Sequence, residues 1–466
     1  MLTVLGNRTY RHLFLAQILS LIGTGLTTVA LGLLAYDLAG DRAGQVLGTA
    51  LAIKMVAYVG LAPVAAALAA KVPRRRFLVT LDLCRAGMVL MLPFVTAVWQ
   101  VYLLVFLFQA CSASFTPTFQ ATIPDILTSE KDYTNALSLS RLAYDLESLI
   151  SPMLAALLLA ALSFHWLFVG NAFAFLASAA LVVSVVLPAI RAESMVRSFR
   201  ERLTRGAFIY LRTPRLQGLL ALSFAVSSAG SMVIVNTVVF VRDGLGGDDL
   251  DVAVLFAAYG VGSMAVALAL PRLLDDRPPR GVMLAGAGLL AASLPLGALG
   301  LGYGAAMALW AAVGASVSLI MTPSGLLLRR SSHPEDRPAL FAAQFALSHA
   351  CWLVAYPTAG WLGLVIGLPN TFIVLAAGAA LGAIAAACLW PAVDPEVIEH
   401  DHDGIVHAHG HADDAHHGGG LAEWRADGAH CHQPVRHAHA FVIDDHHPAW
   451  PGTRQRRRPA RRMPGD

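Results

Sequence analysis

The chain has 466 residues, 56% of them hydrophobic and only 14% charged, with a formal net charge of +3 and a mean hydropathy of +0.62. A soluble domain carries about a quarter charged residues, so this composition excludes a wholly water-exposed globule and calls for lipid around much of the surface. The small net charge excludes little; the placement of Lys and Arg along the chain is what informs.

The opening segment MLTVLGNRTYRHLFLAQ has no short apolar core followed by a small-residue cleavage site, so it reads as a cytosolic start running into the first span. A helix needs about 20 mostly apolar residues to cross the hydrocarbon core. That length predicts twelve spans, near 13–36, 46–70, 77–98, 100–120, 138–162, 165–187, 216–241, 252–271, 281–300, 304–323, 341–364 and 369–391. Alternate loops carry the positive charge: Arg8 and Arg11, then Lys71 and Arg74 to Arg76, then Lys131, the Arg-rich run from Arg191 to Arg215, Arg272 to Arg280, and Arg329 to Arg337. The opposite loops hold only Arg42 and Arg242. This alternation predicts a multi-pass membrane protein with both termini in the cytoplasm. Five cysteines show neither a CxxC pattern nor disulfide spacing, and four of them sit in apolar stretches as packing residues.

The expected class is therefore an all-α membrane protein with twelve transmembrane helices in two six-helix halves. Its parts are an N-terminal half over 1–190, an amphipathic cytosolic linker over 191–215, a C-terminal half over 216–391 and a tail over 392–466. Two such halves are the plan of many secondary transporters, with the substrate site near the midplane between them. There is no phosphate-binding G-x-x-x-x-G-K-[ST] and no nucleophile–base arrangement, so neither direct ATP drive nor an enzyme is expected.

Ionisable and polar groups inside spans are costly, and each is a site hypothesis. Span five carries Tyr144, Asp145 and Glu147. A carboxylate there can alternate between a proton and a metal ion; the alternative is that Asp145 merely pairs with Arg141 one turn earlier. Span eleven carries Gln344, Ser348, His349 and Cys351, and His349 is either a transient metal or proton site or a hydrogen-bonded packing histidine. Asn236 lies inside span seven, where it supplies a neutral contact to cargo or to a neighbouring helix.

The tail is rich in histidine. It holds His400, His402, His407, His409, His411, His416, His417, His430, His432, His437, His439, His446 and His447, with Cys431 and seven aspartates interleaved. Neutral imidazole binds Ni²⁺, Co²⁺, Cu²⁺ and Zn²⁺ well. Few apolar residues and several glycines predict a tail that is disordered without metal. The alternatives are an affinity tag, which dispersal of the histidines disfavours, and a low-complexity segment with no part in transport. The basic run at 454–462 reads as lipid-facing rather than as a nucleic-acid site.

Two stretches resemble the major facilitator superfamily. The loop AALAAKVPRRRFL is similar to that family's basic loop motif, with Lys71, Pro73, Arg74 and Arg75 in place but Ala70 where an acid is usual. The matching loop PRLLDDRPPR keeps Asp275, Asp276, Arg277 and Arg280. The resemblance implies a latch between helices, with Asp82 and Arg85 as a substitute charge pair in the first copy; the alternative is loop charge that only sets topology. The second stretch, FTPTFQATIPDIL with the following NAL, is similar to the branch that holds siderophore exporters and bacterial nickel-resistance exporters, on Pro117, Ala121, Pro124, Asp125 and Asn135 to Leu137. Members of the nickel branch characteristically carry a histidine-rich cytosolic C-terminus, which favours Ni²⁺, with Co²⁺ second, as both cargo and tail-bound ion. The resemblance implies a monomeric exporter of the bacterial inner membrane with protons as the counter-ion and no resident cofactor. The competing expectation is export of a siderophore or drug-like organic molecule, and a third is a metal sensor whose membrane part only anchors the tail.

Overall fold

The computed structural model of the chain describes residues 2–39, 43–69, 72–159, 163, 165–188, 199–247, 249–395, 397–402, 406–407, 422–424, 430–432, 435–444, 447 and 449–451. The first half is built from α1 (Arg8–Ala39), α2 (Ala43–Ala69), α3 (Arg74–Met91), α4 (Val98–Ile126), α5 (Glu130–Leu159) and α6 (His165–Val183). Helix α7 (Phe199–Arg212) follows. The second half comprises α8 (Pro214–Val239), α9 (Asp249–Asp276), α10 (Pro279–Ser293), α11 (Tyr303–Met321), α12 (Ser324–Arg330), α13 (Arg337–Val365) and α14 (Gly367–Leu389). Nine helical stretches among the described residues are long and apolar enough to cross a bilayer, with α11 and α12 counting as one run, Tyr303–Arg330. The other three expected spans coincide with α1, α2 and α5, which are helices of 32, 27 and 30 residues.

Within each half, small residues let helices approach closely. A Cβ added at Gly262 of α9 would collide with the carbonyl of Ala311 in α11, and one added at Gly314 of α11 would collide with that of Tyr259 in α9. The two glycines thus license one contact from both sides, as small residues do in lipid, where hydrophobicity does not drive helices together. Between the halves, α2 packs on α13 and α5 packs on α9. Arg141 of α5 donates from Nε and Nη2 to the Ser263 hydroxyl of α9, at 3.0 and 2.9 Å.

Helix α4 runs through Pro117 and Pro124 to Ile126, past the expected end near residue 120. Membrane helices tolerate such prolines where neighbouring groups satisfy the freed carbonyls. Helix α7 packs against α13, α2 and α8. Its Ile209 and Tyr210 are fully buried, and Gly206 fits directly against the Ala339 carbonyl of α13.

Much of the tail expected to be disordered lies outside the described residues, but the described ones include short strands. Val397–His402 (β1) pairs antiparallel with Val435–Ala440 (β5), and Val406–His407 (β2) and Ala422–Trp424 (β3) flank His430–His432 (β4). The physical reason is local: β-branched residues at Val397, Ile398, Val406 and Val435 favour extended backbone. Phe441 and Ile443 are 3% and 1% exposed within the core of the second half. Trp450 receives the Arg215 guanidinium 5.1 Å above its ring, and Arg215 also pairs with Asp394 at 3.3 Å. Trp390 donates its indole N–H to Asp394 at 2.9 Å. The tail therefore leaves and returns on the same half.

Candidate functional site

A cavity of about 550 Å³ lies between the halves. Tyr144 and Glu147 of α5, Lys54 and Tyr58 of α2, and Phe345 and His349 of α13 line it. Helices cross here because α2 meets α13 and α5 meets α9 along the seam, so each half contributes donors to one space. Glu147 and Lys54 interact electrostatically, and the Lys54 ammonium lies 5.5 Å from the centre of the Tyr58 ring.

His349 is held on two sides. Its ring meets Tyr58 edge-on at 4.9 Å and Phe345 at 4.1 Å. Its Nδ1 lies 2.7 Å from the Phe345 carbonyl. A carbonyl only accepts, so Nδ1 carries the proton and, in the neutral ring, Nε2 keeps the lone pair that a metal or proton needs. The cavity thus offers a carboxylate, an imidazole nitrogen and phenols. Among the described residues, no three His, Cys, Asp or Glu side chains are already placed to hold a metal ion.

Other expected residues fall elsewhere. Asn236 is buried at the α8–α13 contact, where its amide donates to the Ala359 carbonyl at 3.2 Å. The Asp145 side chain lies outside the described residues. Asp82 and Arg85 form a buried ion pair within α3. The Ser178 hydroxyl donates to Asp82 at 2.8 Å, and the Arg85 guanidinium sits 4.2 and 4.4 Å from the rings of Phe115 and Phe175. Arg85 also borders the cavity, so its charge arrives there already balanced by Asp82.

The arginine-rich loops lie at one end of the bundle, and ion pairs close the seam there. Asp125, at the end of α4, accepts from Arg74 of its own half at 2.5 Å and from Arg337 of the other half. Arg330 pairs with Glu130, and Arg329 donates to the Thr128 carbonyl, both across the seam. Arg205 of α7 holds Asp336 at 3.0 Å, next to Arg337 in sequence. Arg75 is exposed. Asp275, Asp276 and Arg277 border a groove of about 510 Å³ at this end, together with Glu130 and Arg330.

In the tail, His400 stands opposite His437 and His407 opposite His430 in the strand register. His402, His439, Cys431 and His432 also fall on these strands, whose side chains lie outside the described residues. His409, His411, His416, His417 and His446 lie outside them altogether. His447 is described: its Nδ1 is 2.9 Å from the Asp444 carboxylate.

Sequence reasoning passed over Lys54, Asp125 and Asp336. Lys54 is a charge inside an apolar run, the same signal that marked Glu147. Asp125 stood in the quoted P-D motif, but its partner Arg337 is over two hundred residues away in sequence, at a separation of 212.

The profile of the Major Facilitator Superfamily matches residues 13–277 and again 219–408. The chain belongs to that superfamily. Its fold resembles that of three solved superfamily-sized transporters, each at 15% identity. The human organic anion transporter MFSD10 (TETRAN) aligns over 81% of this chain and 99% of its own, with a TM-score of 0.67. The E. coli fucose:proton symporter FucP aligns over 82% and 98%, with a TM-score of 0.66. A bacterial homologue of the iron transporter ferroportin, in its outward-facing state, aligns over 82% and 99%, with a TM-score of 0.67. Among curated proteins, none matches the chain in sequence. As in any superfamily transporter, the membrane part works in a lipid bilayer, and the class is transport rather than enzymatic catalysis.

Proposed function

We propose that the chain is a secondary exporter of a divalent metal ion, Ni²⁺ first and Co²⁺ second, that takes up protons in exchange. The observation that carries this reading is that Glu147 and His349, one from each half, both line the cavity at the seam. A carboxylate and an imidazole are suitable ligands for a borderline dication, and each can hold a proton on the return leg. With the arginine-rich end in the cytoplasm, the histidine-bearing tail stands at the mouth through which metal would enter. Alternating access then follows from breaking and remaking the Asp125–Arg337 closure.

The test is accumulation of ⁶³Ni in metal-sensitive cells expressing the full chain or Glu147→Gln. The full chain lowers accumulation and Glu147→Gln does not. Equal accumulation in both strains and in cells without the protein, at confirmed membrane expression, sinks the nickel reading.

A second reading is export of an organic molecule bearing an acidic group. Its support is also in the cavity: a volume of about 550 Å³, the aromatic rings of Tyr58, Phe115 and Phe345, and the cations Lys54 and Arg141. Pockets of this size and lining accept drug-sized ligands. Lys54→Met separates the two. Removing a cation leaves nickel export intact or improved, whereas it weakens capture of an anionic cargo.

A further inference from the structure

We propose that Lys54 is the specificity residue of the cavity: tethered opposite Glu147, its ammonium shields the carboxylate from monovalent cations and gives way to a dication. The proposal deepens the export reading and rests on it for the charge of the cargo. Lys54 stands near the middle of α2, in an apolar run where a charge is costly and calls for a partner. Glu147 of α5 is the one acid among the described residues that line the cavity. The other cations there are engaged elsewhere, Arg85 with Asp82 and Arg141 on the Ser263 hydroxyl of α9. Lys54 and Glu147 interact electrostatically, yet among the described residues no direct ion pair or hydrogen bond takes up either charge. The two charges therefore balance each other across the cavity without being locked together. The ammonium has a second resting place one turn along α2, 5.5 Å from the centre of the Tyr58 ring. That ring in turn meets His349 of the second half edge-on at 4.9 Å.

Valence decides what can displace the ammonium. A monovalent cation arriving at Glu147 brings the charge that Lys54 already supplies. It gains no coulombic energy by the exchange, and it gives up hydration and freedom of movement. A dication brings twice that charge, so its attraction to the carboxylate exceeds what the ammonium gives up. Repulsion then holds the ammonium against the face of Tyr58, where the ring quadrupole keeps it partnered. Both α2 and α5 belong to the first half. The competing charge therefore travels with Glu147 as the halves rock, and the discrimination holds whichever side the cavity faces.

The test is thermal unfolding of the full chain in one detergent, at equal ionic strength in sodium chloride or in the chloride of the bulky cation N-methylglucamine. The natural chain unfolds at the same midpoint in both salts. In Lys54→Met, Na⁺ takes the place that the ammonium has left at Glu147, and the midpoint in Na⁺ lies higher by about 2 °C or more. Lys54→Arg keeps the cation and behaves as the natural chain does. Adding Glu147→Gln to Lys54→Met abolishes the Na⁺ effect, which locates the ion at the carboxylate. Lost packing alone shifts the midpoint equally in both salts. Lys54→Gln takes the place of Lys54→Met where the latter does not fold. Equal midpoints in the two salts without Lys54 overturn the proposal. So does a Na⁺ effect of the same size in the natural chain, or one that survives Glu147→Gln. No nickel enters these measurements, so failure of ⁶³Ni export is read apart from them.

Discussion

Arg337 of the second half is bonded to Asp125 of the first, and the same carboxylate also takes Arg74. One acid therefore serves two guanidiniums from opposite sides of the seam. Asp125→Asn leaves both arginines without their counter-charge in a largely buried setting, since the Arg74 and Arg337 side chains are 2% and 13% exposed. The variant loses about 3 kcal/mol where the closed state is compared with the natural chain. A cysteine placed at Ser324, which borders the cavity near this end, reacts faster with a water-soluble maleimide in the Asp125→Asn background. Unchanged reactivity contradicts the assignment of Asp125 as the closing residue.

His349→Phe keeps a ring between Tyr58 and Phe345 and removes only the nitrogens. Its thermal stability stays within about 1.5 kcal/mol of the natural chain. Under the metal reading, its ⁶³Ni transport falls by about tenfold or more. A variant that transports nickel at the natural rate shows that the histidine is a packing residue.

The reciprocal glycines of α9 and α11 give a prediction about stability alone. Gly262→Ala forces apart helices that touch backbone to backbone and costs about 1–3 kcal/mol. Gly288→Ala on α10, where an added Cβ meets nothing within 4 Å, gains up to about 1 kcal/mol from helix propensity. Thermal unfolding in one detergent ranks the natural chain between the two.

The docking of the tail segment on His333 depends on pH in the metal-free chain. The hydrogen bond to Asp444 foremost, against some burial and with help from Glu335 and Asp336, raises His333 above its usual 6.5. Its contribution is full below pH 6.5 and is lost as pH climbs through the raised value. Burial works to raise the Asp444 carboxyl, but the bonds from His333 and His447 outweigh it and hold the group below its usual 3.8. Its contribution is full above that value and is lost as pH falls below it. Docking is therefore firmest from about pH 4 to 6.5 and loosens in alkali, by less than about 1 kcal/mol for so exposed a histidine. Hydrogen–deuterium exchange of 441–451 in chelator, corrected for the intrinsic pH dependence of exchange, reports this. A plateau that continues to pH 9 excludes it.

The spans were legible because lipid imposes a length and a polarity that any window of residues either meets or does not. Glu147 and His349 were legible for the same reason, and Lys54 carried an equal signal. Pairings across the seam were not. Asp125 and Arg337, or His333 and Asp444, come together through the packing of two halves, and no local pattern encodes that. Asn236 shows the limit of the polarity rule: a buried amide satisfied by a neighbour's carbonyl looks the same in sequence as one facing cargo. The end of the tail ran against its composition. Its histidines and glycines suggested a chain without a core, but Phe441, Ile443 and Trp450 borrow the core of the second half.

Because the chain leaves the membrane part at Asp394 and is fastened again at Phe441, the histidine-bearing stretch is tethered to the second half at both ends and not at one. A segment held at one end can reach out by its full contour, whereas one held at both ends reaches at most about half of it. Any ion it picks up is kept at high local concentration beside one half of the bundle. Cutting the chain at residue 395 removes the tether, its load and part of the second half's core together, so such a truncation would report on folding as much as on metal.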